Sequence, residues 1–254
     1  MLIIISPAKT LKTDVKPLDN STFPEYLSKS DKLAGLLKEF SVEELSSLMK
    51  VSPKIAQLNY ERYAAWHVPY NKEEGNNALL TFRGEVYNGI DADSYDADDL
   101  VYAQDHLRIL SGLYGVLRPL DVILPYRLEM GTRLQTKDFI NLYDFWGDLI
   151  TESLNRQLDK TGSEILVNLA SEEYFKSINQ NKLKARVITP VFKDEKNGTF
   201  KVISIYAKKA RGLMTSFILK NRIEDPDQLK LFDAEGYYFN EHLSKDDQTL
   251  VFTR

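Results

Sequence analysis

The sequence opens with Met1-Leu2-Ile3-Ile4-Ile5, followed at once by Ser6-Pro7-Ala8-Lys9-Thr10. A short apolar run that is rich in β-branched residues and stops at a Ser-Pro pair predicts a buried strand. Glu164 to Leu169 and Val187 to Phe192 are similar runs, so we expect them to share a sheet with the first one. Strands that are apolar along their whole length are buried on both faces, which predicts helices on both sides of the sheet.

The remaining segments extend this pattern without a linker or an internal repeat. Further strands are predicted at Ala78 to Phe82 and Phe200 to Tyr206, which we expect in the same sheet, and a last short strand is predicted at Thr249 to Thr253. Helices are predicted at Pro24 to Phe40, Ser41 to Met49, from Ser52-Pro53 onward, Asp96 to Leu110, Leu142 to Leu158 and Lys208 to Arg222. The predicted fold class is α/β, with α+β as the alternative: a single compact domain, residues 1–254, whose mixed sheet is covered by helices. A helical insertion with a hairpin occupies about residues 41–66.

The composition of the 254 residues excludes several classes of protein. The chain has no cysteine, which removes disulfides, thiolate nucleophiles, Fe–S clusters and Cys-type zinc sites. The three histidines do not lie at metal-ligand spacing, so we predict no metal site and no cofactor. No apolar run approaches the length that a membrane helix needs, so we expect a cytoplasmic protein with no membrane partner, and a monomer is favoured.

The net charge of −4 conceals two segments of opposite sign. From Gly84 to Leu107 there are seven acidic residues and no Lys or Arg, whereas Lys182 to Arg222 holds eleven basic residues and two acidic ones. Charge runs are often only solvated faces, but a block this long predicts a positive surface that could bind phosphates.

The most specific local pattern is Leu45-Ser46-Ser47-Leu48-Met49-Lys50-Val51-Ser52-Pro53-Lys54-Ile55-Ala56-Gln57-Leu58. It resembles a helix-hairpin-helix module, in which backbone amides of the turn and of the second helix face a phosphate. Lys50 and Ser52 occupy the two turn positions that are usually glycine, Ser52 is the expected N-cap, and Lys54 would add a charge contact. The alternative is an ordinary core hairpin in which the apolar side chains are buried, namely Leu45, Leu48, Val51, Ile55 and Leu58.

Other candidate residues follow predicted strands or border tight turns. Candidate DNA-binding residues, besides Lys50, Ser52 and Lys54, are Lys9, Arg83, Arg118, Arg127, Lys208, Lys209 and Arg211. If the protein is an enzyme, the candidate catalytic residues are Lys9, Glu85, Glu172 and Lys209. Each has a simpler interpretation: a strand-ending turn, a solvated helix, or an acid such as Glu172, with Glu173 beside it, that stabilises a helix N-terminus. We also expect Lys9, Lys50, Lys54, Lys208, Lys209 and Arg211 to share one positive cleft.

Several blocks together resemble the YaaA family of bacterial peroxide-stress resistance proteins. The blocks are residues 4–11, Phe82-Arg83-Gly84-Glu85-Val86-Tyr87, residues 110–120, Pro125-Tyr126-Arg127-Leu128-Glu129-Met130-Gly131, Phe145-Trp146-Gly147-Asp148, Asn168-Leu169-Ala170-Ser171 and Lys208-Lys209-Ala210-Arg211-Gly212. They span nearly the whole chain in order. The resemblance implies a cytoplasmic protein that limits peroxide and iron damage, with a helix-hairpin-helix element and a positive cleft for duplex DNA.

Three functions remain open at this point. The first is sequence-independent binding of duplex DNA. The second is a DNA-processing enzyme of the lyase or glycosylase type, with Lys9 or Lys209 as nucleophile and Glu85 or Glu172 as acid/base. The third is an iron-handling or small-molecule protein, which ranks last because good transition-metal ligands are few. Without cysteine or a haem signature, thiol peroxidase and haem catalase chemistry are not expected.

Overall fold

The computed structural model describes residues 1–14 and 17–254. In chain order the strands are β1 (Leu2–Ile5), β2 (Thr10–Leu11), β3 (Asn76–Asn77), β4 (Phe82–Arg83), β5 (Leu107–Ser111), β6 (Gly115–Leu117), β7 (Val122–Ile123), β8 (Ile165–Leu169), β9 (Arg186–Lys196), β10 (Thr199–Lys201), β11 (Tyr238–Phe239) and β12 (Thr249–Thr253). The helices are α1 (Leu27–Lys38), α2 (Val42–Met49), α3 (Pro53–Ala64), α4 (Ala78–Thr81), α5 (Glu85–Ile90), α6 (Ala97–His106), α7 (Leu142–Trp146), α8 (Leu149–Thr161), α9 (Glu172–Phe175) and α10 (Ser204–Lys220).

The main sheet is mixed and runs in the order β11-β12-β9-β8-β1-β5-β6, with β10 also paired to β9. Strands β12, β9, β8, β1 and β5 are parallel to one another, and the three remaining strands pair antiparallel. Ile3 in β1 is in register with Val167 on one side and Leu107 on the other. All of β1 is buried, so the sheet is covered on both faces there. This confirms the predicted class, a single compact α/β domain around a mixed sheet.

One predicted strand of the main sheet is wrong. Within the run Ala78 to Phe82, the first four residues form α4, and only Phe82 enters a strand, β4, which pairs with β2 in a separate sheet. The amide of Ala78 donates to the carbonyl of Asp121 at 2.9 Å, which ties the run to a distant loop. A short apolar run is compatible with either state, and a long-range partner of this kind is not visible in the sequence.

Three other predicted elements have different ends in the structure. The helix expected over Asp96 to Leu110 ends at His106, and the next five residues are β5, a central strand of the sheet. The strand expected over Phe200 to Tyr206 stops at Lys201, and α10 begins at Ser204 instead of Lys208. The helix expected over Leu142 to Leu158 is divided into α7 and α8 at Gly147, whose φ of 49° is not helical.

Candidate nucleic-acid interface

Hydroxyl side chains line the carboxyl ends of three neighbouring parallel strands, β1, β5 and β8. Ser6, directly after β1, accepts a hydrogen bond from the amide of Ser171 at 2.8 Å and donates to its Oγ at 3.2 Å. The hydroxyl of Tyr87 donates to the Ser6 carbonyl at 3.1 Å, and Ser111 Oγ lies 2.6 Å from the hydroxyl of Tyr126. The carboxyl edge of a parallel sheet is where ligands commonly bind.

Above this edge, two cations share one carboxylate. Lys9 Nζ lies 2.8 Å from Glu129 Oε2, and Arg127 Nη2 lies 2.9 Å from Glu129 Oε1. The loop between β1 and β2 provides the lysine, and an extended segment after β7 provides the other two residues. Two positive groups against one negative group leave this cluster with a net positive charge.

Two adjoining pockets surround the cluster and share Glu129 and Glu173. The larger, about 340 Å³, is lined by Lys50 at the end of α2, and the smaller, about 60 Å³, is lined by Lys9 and Arg127. Glu173 Oε1 accepts a hydrogen bond from the amide of Gly131 at 2.8 Å, which fixes that carboxylate at the wall of both pockets. Three of the predicted DNA-binding residues therefore lie around the same pair of acids.

One guanidinium of the cluster is incompletely satisfied. Arg127 Nε is buried and has no hydrogen-bond partner in the described part of the chain. Arg62 of α3 is close enough that the charge of Arg127, together with the larger effect of burial, lowers its pKa. Arg62 forms no ion pair with any described residue. Two close guanidinium groups with spare donors favour a site for an anion.

Helices α2 and α3 form the predicted helical hairpin. Ser41 and Glu44 cap α2 through a reciprocal capping box, as the sequence predicts. The turn is held by Ser46, whose hydroxyl donates to the Val51 carbonyl at 2.7 Å and whose carbonyl accepts from the Val51 amide at 3.1 Å. Lys50 adopts the left-handed conformation, with φ 52° and ψ 52°, at a position where the module usually has glycine.

The start of α3 is open to solvent. Ser52 occupies the N-cap position but its side chain makes no capping hydrogen bond, so the predicted side-chain cap is absent within the described residues. Of the side chains that the core-hairpin alternative places in the interior, Leu45 is buried and Leu48 and Val51 pack against the core. Ile55 (36%) and Leu58 (45%) are exposed, and so is Lys54. The hairpin thus presents a free face at the N-terminus of α3.

The helix that carries the basic residues, α10, packs on α5 through a close backbone contact. A Cβ on Gly212 would lie 1.9 Å from the carbonyl oxygen of Val86 in α5, the helix whose Tyr87 reaches Ser6. Lys208 is exposed, Lys209 pairs with Glu235, and burial lowers the pKa of Arg211. None of these three, nor Lys54, lines either of the two pockets beside Lys9.

The other predicted residues have different surroundings. Arg83 lies opposite Thr10 in the β2–β4 pair and contacts Asp93 at 3.4 Å. Arg118 pairs with Asp121 at 2.8 Å beside a separate pocket at β6.

The candidate acids also differ. Glu85 is half-buried in the first turn of α5, and the Asn88 amide donates to it at 3.5 Å. Glu172 is 83% exposed and pairs with Lys176 one turn later, which lowers its pKa. Its neighbour Glu173, and not Glu172, lines the two pockets beside Glu129, so the two adjacent acids have different surroundings.

Sequence reasoning did not select Glu129, Arg62 or Arg133, which belong to the cluster or line its pockets. Arg127 and Glu129 are separated by one residue, and their side chains pair at 2.9 Å. This spacing, which can place two side chains on the same side of the chain, was the available signal for Glu129. Arg62 had no comparable signal, because it reaches the cluster through the packing of α3.

Within residues 1–14 and 17–254, no helix is long and apolar enough to cross a membrane. The same residues contain no group of three or more His, Asp or Glu side chains that could hold a metal ion.

The fold and site define a mixed α/β protein with a positively charged cluster at the carboxyl edge of its parallel strands. A family model described as "Peroxide stress protein YaaA" matches residues 1–243, and the chain belongs to this family. The chain is 51% identical over 255 residues to a "UPF0246 protein" of Hahella chejuensis, covering all of this chain and 99% of that one. It is 52% and 50% identical to proteins of the same description from Aliivibrio fischeri (strain MJ11) and Neisseria gonorrhoeae, in each case over all of this chain and 98% of the relative.

Proposed function

We propose that this member of the peroxide stress family binds duplex DNA without sequence specificity and thereby limits the damage that peroxide and iron cause. The observation that carries the proposal is the helical hairpin with its open α3 N-terminus. Pro53 has no amide hydrogen, and the amides of Lys54 and Ile55 donate to no group among the described residues. Such amides, with the positive end of the helix dipole, favour a phosphate.

The charges around the hairpin support the same assignment. Lys50 connects the hairpin to the pocket that it shares with Glu129, and Lys9 and Arg127 lie on the other side of that carboxylate. A strand that contacts the α3 N-terminus could therefore continue toward this cluster. Amides and lysines contact phosphates and do not read bases, so the proposed binding is independent of sequence.

The salt dependence of duplex binding tests this proposal. Anisotropy titrations use labelled duplexes of two unrelated sequences at several salt concentrations, with wild type, Lys54→Ala and a matched control, Lys184→Ala. Lys184 is exposed, pairs with Asp159 at 2.7 Å and precedes β9, at the opposite end of the strands from the cluster. Losing one phosphate contact lowers the log–log salt slope by about 0.9.

We expect Lys54→Ala to weaken the binding of both duplexes equally and to lower the log–log salt slope. Lys184→Ala should change neither the affinity nor the slope. No binding by wild type at low salt contradicts the proposal. A Lys54→Ala protein with wild-type affinity and slope removes the hairpin from the interface. Protection of a bound duplex from peroxide and ferrous iron, measured as strand breaks, then tests the second half of the proposal.

The lyase alternative receives no comparable support from the site. Its two candidate nucleophiles, Lys9 and Lys209, are each engaged by a carboxylate, Glu129 and Glu235 respectively. A neutral amine would have to leave its partner before it could attack a sugar carbon. We expect borohydride to trap no adduct with an abasic duplex, and a trapped adduct that Lys9→Ala abolishes would establish the alternative.

A further inference from the structure

A second charged pocket lies beside the edge strand β6, away from the cluster at Lys9. It has a volume of about 280 Å³, and β5, β6, α8 and the loops around Glu25 and Asp121 form its walls. Its lining shares no residue with the two pockets around Glu129. Of the candidate DNA-binding residues, Arg118 alone lines it, and the helical hairpin and α10 contribute nothing to it. The proposed interface at the hairpin therefore leaves this pocket unexplained.

Arg108 at the floor of this pocket is a buried cation without an anion. Its side chain belongs to β5 and is 4% exposed. Its guanidinium donates to the carbonyls of Gln104 at 2.9 Å and Leu107 at 2.7 Å, and to Gln157 Oε1 at 2.5 Å. All of these acceptors are neutral, and no carboxylate of a described residue is within ion-pair distance. Burial lowers the pKa of Arg108 to about 10.

A buried guanidinium normally has a charged partner, because removal from water costs several kcal/mol for an ion in a protein. Three more cations line the pocket, and each already has its own carboxylate. Arg118 pairs with Asp121. Arg156 pairs with Glu25, and Lys160 pairs with Asp105. The acids thus form their ion pairs with the outer cations, and Asp121, Asp105 and Glu25 act on Arg108 only by electrostatic attraction at longer range.

We propose that this pocket binds the phosphate group of a small, freely diffusing molecule, with Arg108 as the buried contact and Arg156 and Lys160 at the mouth. Guanidinium groups match the planar, bidentate geometry of phosphate oxygens. The volume exceeds that of a phosphate ion, which leaves room for the rest of a small phosphorylated compound against the apolar wall of Val116 and Leu117.

The surroundings favour a small ligand over a nucleic acid. Glu25 and Asp121 lie in the lining itself, and Asp105 lies behind Lys160. These carboxylates would repel the successive phosphates of a polyanionic strand, whereas a small ligand needs only one phosphate group to reach Arg108.

Calorimetry and thermal unfolding of the full chain test the proposal. The probes are inorganic phosphate, pyrophosphate and a 5′-mononucleotide, each compared with sodium chloride at equal ionic strength. A ligand that binds only the folded state raises the melting temperature, and chloride should not reproduce the rise. Phosphate and pyrophosphate alone would identify an inorganic ligand, and tighter binding of the mononucleotide would identify an organic phosphate. Both outcomes support a phosphate site.

The variants are Lys160→Ala and Arg108→Gln. Lys184→Ala is the matched control, because it also replaces one exposed lysine that is paired with an aspartate. Lys160 is 63% exposed, so its removal leaves the fold intact even if Arg108→Gln does not fold. We expect Lys160→Ala to weaken pyrophosphate binding about five- to tenfold, and the control to leave it unchanged.

Three results would overturn the proposal. The first is the absence of saturable binding of any probe below about 10 mM, which corresponds to less than 3 kcal/mol. The second is equal binding by Lys160→Ala and the control. The third is displacement of bound pyrophosphate by duplex DNA, which would assign the pocket to the nucleic-acid interface.

Discussion

Replacement of Gly212 by alanine should separate two helices that now touch through their backbones. Helix α10 crosses α5 where Gly212 and Gly89 face each other. A Cβ on Gly212 would lie 1.9 Å from the carbonyl oxygen of Val86 and 2.9 Å from the Cα of Gly89. Both neighbours are backbone atoms, so no side-chain rotation relieves the contact. The helices would have to move apart by about 1 Å in a closely packed interior.

The size of the effect follows from two opposing contributions. Alanine is favoured over glycine inside a helix by about 1 kcal/mol. Overpacking of a well-packed core costs about 1–3 kcal/mol, and a clash between backbones belongs at or above the upper end. We therefore expect Gly212→Ala to lower the free energy of unfolding by about 2 kcal/mol or more. Gly35→Ala is the matched control, because Gly35 lies in the middle of α1, is exposed to solvent, and would have nothing within 4 Å of an added Cβ. This substitution should raise the free energy of unfolding by up to about 1 kcal/mol.

Urea unfolding followed by circular dichroism measures both variants, and the slope of the transition checks that each unfolds as the wild type does. The two substitutions are chemically identical, so opposite signs would isolate the helix contact from helix propensity. If Gly212→Ala had the same free energy of unfolding as Gly35→Ala, the reasoning would be refuted, because α5 would then move away from α10 without loss of stability.

Three further outcomes are expected. Ser41→Ala should lower stability by about 1 kcal/mol, because the side chain caps the Glu44 amide at 3.2 Å, and Ser41→Asp should restore most of it in the same urea titration. Tyr63→Phe removes a buried hydroxyl that donates to the Arg127 carbonyl at 2.7 Å, so stability should fall by about 1–2 kcal/mol; an unchanged unfolding midpoint would contradict this. Burial lowers the pKa of His106 below its ordinary 6.5, so the unfolded chain binds that proton more readily than the folded chain. The free energy of unfolding should therefore fall as the pH drops from 6.5 toward the folded-state pKa, which an NMR titration measures. His106→Gln should reduce this pH dependence.

The sequence identified elements whose signal is local. The isoleucine run of β1, the run Ile165 to Leu169 of β8 and the run Val187 to Phe192 within β9 are mostly apolar, and each belongs to a parallel strand of the main sheet. Strand β5 was hidden because it follows α6 without a break, so its apolar residues extend the helical pattern. Whether a short apolar run forms a strand or a helix depends on the residues that surround it in space, as α4 shows.

The same distinction applies to the candidate site. Lys9 could be selected because it follows a buried strand, where ligands commonly bind. Its partner Glu129 is 120 residues away in a loop without regular structure, so the pairing depends on how the chain folds back. Arg108 carried no signal either, because an arginine inside an apparent helix is ordinary. Its significance comes from burial and from the neutral partners around it.

The central position of β1 has a consequence for how the chain folds. Ile3 pairs with Leu107 on one side and with Val167 on the other, so neither neighbour is close to it in sequence. Closing such long loops is slow, and a chain of this size commonly passes through intermediates. Until β5 and β8 arrive, the run from Leu2 to Ile5 is an apolar strand with two unpaired edges, which is the kind of segment that aggregates. We therefore expect refolding yield to fall steeply as protein concentration rises, and a charge introduced at Ile3 to prevent the native sheet from assembling.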